Sequence, residues 1–243
     1  VVWCDVDART FNIDPESAKL ALSAKTKAVM AVHLYGQLAD IEALENAIGA
    51  IPIIEDTAQA FGARFTSGKY QGKFSGTVGA FGTLSFFPTK PLGAMGDGGA
   101  VITNDTALFD RALSIARHGQ SKKYIHDIIG VNSRLDPIQA AVLNVKLNHF
   151  EATLLRKQEI VAHYQSELAD IEQIVFPYEA DYSSHVWHQF TLKVLDGKRD
   201  GLQTALREAG VSTMIYYPIV LADQNAYKYM IERVPIEASR SLC

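Results

Sequence analysis

The chain has 243 residues, room for one large domain or one plus a smaller companion, and its 48% hydrophobic and 21% charged residues are those of an ordinary globular protein. A formal net charge of −4 gives no reason to expect a nucleic-acid partner or an anionic membrane surface, and no apolar run approaches the ~20 residues a membrane helix needs. The two cysteines, Cys4 and Cys243, build neither a disulfide framework nor a metal site and suit a reducing compartment, so a cytoplasmic location is expected.

Val1-Val2-Trp3-Cys4-Asp5-Val6-Asp7 has no basic start and is interrupted by acids, unlike a signal peptide. Val2 to Val6 reads as a short strand. With no initiator Met and an abrupt stop at Ser241-Leu242-Cys243, the chain reads as a fragment. Asp14-Pro15-Glu16 is a helix start, a capping carboxylate followed by Pro at the first helical position. Ala28 to Tyr35 is a nearly continuous apolar run ended by Gly36, as for a strand buried on both faces. Asp40 to Ile48 reads as a helix and Ile51 to Ile54 as the next buried strand. Strands separated by helices argue for βαβ units and a parallel sheet.

The residues from Gly62 to Gly79 read as loop or hairpin. Phe81 to Phe87 and Ala100 to Thr103 are strand-like and flank a glycine-rich stretch, Gly93 to Gly99. Asn104 or Asp105 caps a helix to about Arg117, and Asp136 to Leu168 is helical with a break near Asn148. Glu179 to Ser184 looks like a linker, followed by a strand (His188 to Val194), a helix (Arg199 to Ala209) and a strand (Val211 to Ile215). The expected division is a larger domain over residues 1–150 and a linking helix with a smaller C-terminal α/β domain over 151–243.

Asp56 follows the strand Ile51–Ile54, where ligands of open α/β sheets bind, and Gln59 lies close enough to share its loop. The plainer use of such an Asp is to cap a turn. Lys90 stands between Phe86-Phe87-Pro88-Thr89 and Pro91-Leu92-Gly93, beside aromatics and prolines just after a buried strand. Desolvation there would suit a Schiff-base lysine, and a snorkelling surface lysine is the alternative. Ser85 and Thr89 are hydroxyls able to bond a phosphate. The glycines from Gly93 lead into a strand rather than a helix, so they are not a dinucleotide fingerprint and a Rossmann oxidoreductase is excluded.

Glu55-Asp56-Thr57-Ala58-Gln59-Ala60-Phe61-Gly62-Ala63, then Ser85-Phe86-Phe87-Pro88-Thr89-Lys90-Pro91-Leu92-Gly93 and Gly96-Asp97-Gly98-Gly99-Ala100, resemble the DegT family of sugar aminotransferases. Val32-His33-Leu34-Tyr35-Gly36-Gln37 and Asn132-Ser133-Arg134-Leu135-Asp136-x-x-Gln139 extend the resemblance across essentially the whole chain. It implies the fold-type-I architecture, a mostly parallel central sheet with flanking helices, and pyridoxal 5′-phosphate (PLP) as cofactor. Asp56 would bond the pyridine nitrogen, Ala58 lie against one ring face, Gln59 bond the phenolic oxygen and Ser85 the phosphate. Lys90 would form the Schiff base and, once released, shuttle the proton. The substrates implied are an amino-acid donor, usually glutamate, and a nucleotide-linked keto sugar.

Asn132 matches a residue that reaches the PLP phosphate of a partner subunit, implying a homodimer with shared sites, and Arg134 would lie near the nucleotide sugar. The local alternative is that Asn132 caps the next helix. Ala116 to Gln120 and Tyr35 to Gln37 look closest to members that aminate the 3-position in polysaccharide and amino-sugar biosynthesis. His33, at a strand end, can serve either the site or the core. A PLP sugar dehydratase would carry histidine in place of Lys90, and a regulatory relative would need a damaged site. Where the family shows His-Tyr-Pro this chain has Tyr216-Tyr217-Pro218, so Tyr216 and Tyr217 are taken as the substrate-side residues and the sugar stays open.

Relatives carry further chain before the segment matching Val1, including part of the cofactor's enclosure, and continue beyond Leu242. The isolated 243-residue segment is therefore expected to be poorly soluble or to bind PLP weakly. Purifying it with tight, stoichiometric PLP would overturn that expectation.

Overall fold

A computed structural model describes residues 1–230 and 232–243. Asp14 caps α1 (Pro15–Ala21) by accepting from the Glu16 and Ser17 amides, as its position before a proline predicts. The chain then forms β1 (Val29–Val32), a single 3₁₀ turn at Leu34–Gly36, and α2 (Ile41–Ile48), whose Asp40 cap accepts from the Ala43 amide. The buried stripe of α2, Ile41, Leu44 and Ile48, follows helical spacing and packs against Ala31, Ile53 and Phe65 in the main core.

Next come β2 (Ile53–Asp56), β3 (Phe81–Ser85) and β4 (Gly99–Ile102), which with β1 form one sheet in the order β1-β2-β3-β4. The first three strands run parallel and β4 is antiparallel to β3. The carboxyl ends of β1, β2 and β3 therefore share one edge of the sheet. Asp105 caps α3 (Thr106–Ala116), and β5 (Gln120–Lys122) pairs with β6 (Ile125–His126) as a small antiparallel hairpin. The expected break near Asn148 separates α4 (Pro137–Leu147) from α5 (Phe150–Glu167). A second apolar cluster, Phe86, Leu92, Ala94, Leu143 and Phe150, fills the space between these helices and the turn after β3. The remaining elements are the two-stranded β7 (Ile174–Val175) and β8 (Lys193–Val194), then α6 (Arg199–Glu208), two 3₁₀ turns at Leu221–Asp223 and Asn225–Tyr227, and α7 (Glu237–Ser241). Among the described residues no helix is long and apolar enough to cross a membrane.

Five local expectations are corrected. Val2–Val6 forms no strand; only Val6 bridges to Ile13, and the Asp5 carboxylate is drawn away to accept from the Ala238 and Ser239 amides (2.9 and 2.8 Å). The run Ala28–Tyr35 leaves the sheet after Val32, because Tyr35 adopts φ 58° in the turn that follows. The strand is also not buried on both faces, since Met30 is 57% exposed. Glu179–Ser184 is tied down rather than free: the Ala180 amide donates to Gln37 Oε1 (2.7 Å), and Ser183 pairs with Phe65. Of the two late strands expected, only Lys193–Val194 forms, and Val211–Ile215 has no regular structure.

At the carboxyl ends of β1 and β2 two buried groups meet. Glu55, fully buried, accepts from His33 Nε2 (2.9 Å), from the Gly76 amide (2.9 Å), and from the Val78 and Gly79 amides (2.9 and 2.7 Å). The Ala39 amide donates to His33 Nδ1 (2.9 Å), so that nitrogen keeps its lone pair and the ring proton sits on Nε2, facing Glu55. Burial alone would raise the Glu55 carboxyl, but the hydrogen bond from His33 and the Gly79 and Gly76 amides outweigh it and hold it below the usual carboxylate range. This places His33 in the structural lock beside the site rather than in it.

Because the folded value is depressed, the stabilisation is present above the unfolded value of about 4.3 and is lost as pH falls through the folded one. Glu55→Ala is expected to cost about 3–5 kcal/mol at neutral pH, since it strands four donors, two of them buried and two part-buried, and to flatten the acid limb of a denaturation series. An unchanged denaturation midpoint would remove the lock from the account.

Candidate active site

Strand alternation sends neighbouring residues of β2 to opposite faces, so Glu55 is buried while Asp56 is only half-buried at the strand's last position. One Asp56 oxygen accepts from the Ala58 amide (3.0 Å) and so sets the turn; among the described residues the other has no partner. Gln59 is buried with its amide oriented, Oε1 accepting from the Tyr35 amide (2.6 Å) and Nε2 donating to the Tyr217 hydroxyl (3.2 Å). The Tyr35 hydroxyl donates to the Tyr216 carbonyl (2.6 Å). The Asp56-to-Gln59 loop and the Tyr216–Tyr217 segment therefore meet, although they lie far apart in sequence.

Ser85 ends β3, two residues beyond Thr83, which is the sheet partner of Asp56. The chain then turns: the Lys90 amide donates to the Phe87 carbonyl (2.9 Å) and the Ala94 amide to the Phe86 carbonyl (2.8 Å). Gly93 is required there, since a Cβ would stand 2.4 Å from the Pro88 carbonyl oxygen. Helix α4 braces this turn from behind, with Gln139 accepting from the Met95 amide (2.8 Å) and Lys146 donating to the Gly93 carbonyl. Lys90 is half-buried on the braced turn, just past the carboxyl end of β3.

His188, close enough to Lys90 to feel its charge, lies on a segment whose amides at His188 and Gln189 donate to the Tyr35 carbonyl. Burial, together with the charges of Lys90 and Lys157, pushes the His188 imidazole down to about 4. His185 stacks on Trp187 with ring centroids 3.7 Å apart, and burial pushes it down to about 3.

The fold thus gathers Asp56, Ala58, Gln59, Ser85, Lys90, Tyr216 and Tyr217 around one sheet edge. Asn132 and Arg134 are not joined to them by any hydrogen bond among the described residues. Both are exposed and bonded to each other, Arg134 Nε to Asn132 Oδ1 at 2.8 Å. Asn132 does not cap α4, whose first turn begins after Asp136. Sequence reasoning missed Tyr35 as a hub and His188 as a neighbour of Lys90. The run His185-Val186-Trp187-His188, two histidines around an aromatic, was the signal available for the second.

The donor set suits PLP: among the described residues an oxygen of Asp56 has no partner, Ala58 is small enough to let a ring lie flat, Gln59 is fixed in orientation, and a hydroxyl and a lysine follow at the neighbouring strand end. Among the described residues no group of His, Cys, Asp and Glu is placed to hold a metal ion.

Residues 1–243 match the DegT/DnrJ/EryC1/StrS aminotransferase family. The chain is 46% identical over 230 residues to a pleiotropic regulatory protein of Geobacillus stearothermophilus, covering 93% of this chain and 60% of that protein. It is 42% identical over 238 residues to the UDP-2-acetamido-2-deoxy-3-oxo-D-glucuronate aminotransferase of Pseudomonas aeruginosa, covering 97% of this chain and 64% of that one. The crystal structure of S. venezuelae DesV in complex with a ketimine intermediate superposes with a TM-score of 0.88 at 36% identity, over 98% of this chain and 62% of that one. The chain therefore spans less than two thirds of the length of these relatives.

Both depressed histidines predict a pH signature. Their unfolded values are about 6.5, so the unfolded chain takes up protons first; stability is complete above that pH and declines as pH falls toward the folded values. His188→Gln should remove part of the decline between about pH 6.5 and the folded value of about 4, measured by denaturant unfolding. An identical slope in wild type and variant would refute the burial argument.

Proposed function

The chain belongs to the DegT/DnrJ/EryC1/StrS aminotransferase family, and from that premise we propose that the full-length protein is a PLP-dependent aminotransferase of nucleotide-linked keto sugars. The reaction moves an amino group from an amino acid, glutamate being the expected donor, onto the 3-keto carbon of the sugar in amino-sugar or polysaccharide biosynthesis. The observation that carries the reading is the pairing of a half-free Asp56 carboxylate and a braced Lys90 at the carboxyl ends of adjacent parallel strands. The 42%-identical relative, named as acting on a 3-oxo-glucuronate nucleotide sugar, supports the 3-keto assignment.

PLP supplies an electron sink for the carbanion that forms at the transferring carbon. Asp56 holds a proton at the pyridine nitrogen through its unpaired oxygen, and Ala58 leaves room for the ring. Gln59 presents an amide N–H to the phenolic oxygen, and the Ser85 hydroxyl donates to the phosphate. Lys90 would hold the cofactor through its Nζ, and that amine, when free, would be the group that carries a proton at the reacting carbon. His188, pushed down to about 4, stays neutral at working pH and adds no second cation beside that amine. Arg134 recognises the diphosphate of the sugar nucleotide, and Tyr216 and Tyr217 face the sugar. Asn132, exposed on the same segment as Arg134, would reach the cofactor phosphate of a second copy in a homodimer with shared sites. The setting is cytoplasmic, in keeping with two unpaired cysteines.

Borohydride reduction of the full-length protein followed by peptide mapping should place a pyridoxyl group on Lys90. Lys90→Ala should lose the label and at least about a hundredfold in turnover, the share of a positioned proton-transfer group. A label on another lysine would sink the assignment. A panel of 3-keto and 4-keto nucleotide sugars tests the position aminated.

A further inference from the structure

Tyr35 holds three separate segments at once. Its amide donates to Gln59 Oε1 (2.6 Å), its carbonyl accepts from the His188 and Gln189 amides (3.0 and 3.3 Å), and its hydroxyl donates to the Tyr216 carbonyl (2.6 Å). The residue is only 6% exposed, and the Phe11 ring meets its ring edge-on with centroids 5.7 Å apart. It also sits at φ 58°, in the left-handed region that residues with a side chain seldom occupy. Such a conformation persists where the surrounding contacts over-determine it, and here three sets of hydrogen bonds do so.

These bonds close a circuit. From the Tyr35 amide it runs to Gln59, from Gln59 Nε2 to the Tyr217 hydroxyl (3.2 Å), along the backbone to Tyr216, and back through the Tyr35 hydroxyl. The far side of the circuit needs this support. Val211–Ile215 forms no helix or strand, and Met214, Tyr217 and Ile219 are 71%, 44% and 49% exposed, so within residues 1–243 little apolar burial fixes that stretch.

We propose that Tyr35 is a positioning residue for sugar recognition: its hydroxyl holds the Tyr216–Tyr217 segment against Gln59, so that the cofactor loop and the substrate-side segment are placed as one unit. The proposal rests on the reading above that Tyr216 and Tyr217 face the sugar. Burial and the neighbouring Tyr217 push the Tyr35 phenol up, so it remains a proton donor throughout the working pH range.

Tyr35→Phe in the full-length holoenzyme separates this role from packing, because the ring, its contact with Phe11 and all three main-chain bonds survive. Hydrogen exchange over residues 211–221 should quicken about fivefold, the worth of one neutral hydrogen bond, while exchange in β2 stays as it was. KM for the keto-sugar nucleotide should rise by about the same factor, with kcat, donor KM and the cofactor's absorbance spectrum unchanged. Unaltered exchange at 211–221 overturns the tether, whatever the protein turns over. Faster exchange with an unaltered sugar KM overturns the recognition role alone. If the wild-type protein aminates no sugar nucleotide, it is the functional reading that fails, and the exchange result still decides the tether.

Discussion

Glu55 has no access to water, and a carboxylate in that position is tolerated only when its oxygens find donors. The donors here come from different parts of the chain: the His33 ring just after β1, and the amides of Gly76, Val78 and Gly79 on the approach to β3. One buried charge therefore fixes the carboxyl ends of two parallel strands and the entry to a third. Backbone bonds hold the same ends, the His33 amide donating to the Asp56 carbonyl (3.0 Å) and the Thr57 amide to the Thr83 carbonyl (2.9 Å), and the buried carboxylate ties the approach to β3 onto them. Thr57, 1% exposed, continues the buried track beyond them.

The chemistry is arranged on what that lock leaves pointing the other way. Strand alternation puts Asp56 opposite Glu55, so two adjacent carboxylates serve separate purposes, one structural and one open to a ligand. Two residues on, the Ala58 amide uses up one Asp56 oxygen and leaves the other, while Gln59 is oriented by Tyr35 rather than by its own loop. The lysine side of the site is independent of this. It stands on a turn after β3 that close packing at Gly93 and contacts from α4 hold in place. The parallel register of β2 and β3 is what brings the two halves to one edge.

Local chemistry was legible in the sequence wherever a few consecutive residues determine the outcome. Asp14 caps the helix its position announces, Asp105 rather than Asn104 caps α3, the helix read from Asp40 starts one residue on with Asp40 as its cap, and the break at Asn148 falls between α4 and α5. The motif residues Asp56 and Gln59 stand at and just beyond the end of β2, and Ser85 and Lys90 at and beyond the end of β3. What could not be read depends on partners far along the chain. Val2–Val6 has a strand's composition, but Asp5 is engaged by α7, more than two hundred residues later. Glu179–Ser184 has a linker's composition, yet Gln37 and Phe65 capture it. Tyr35 carries no local mark of its left-handed turn, because the three segments that enforce the turn come from beyond residue 58.

Helix α4 shows how the site and its assembly would be linked. One face carries Gln139, Leu143 and Lys146, at helical spacing, and these brace the turn bearing Lys90 or fill the cluster beneath it. The same helix exposes Ile138, Val145 and Leu147 at 76%, 63% and 48%. Apolar side chains so exposed favour burial against another surface. The segment that leads into α4 carries Asn132 and Arg134, exposed and bonded only to each other among the described residues. In the proposed shared site a second copy would take up those two side chains and cover the outer face of α4 together. The helix that holds the Lys90 turn in shape would then be held in turn by the partner, so that loss of the dimer would loosen the lysine's support as well as remove Asn132 from the phosphate.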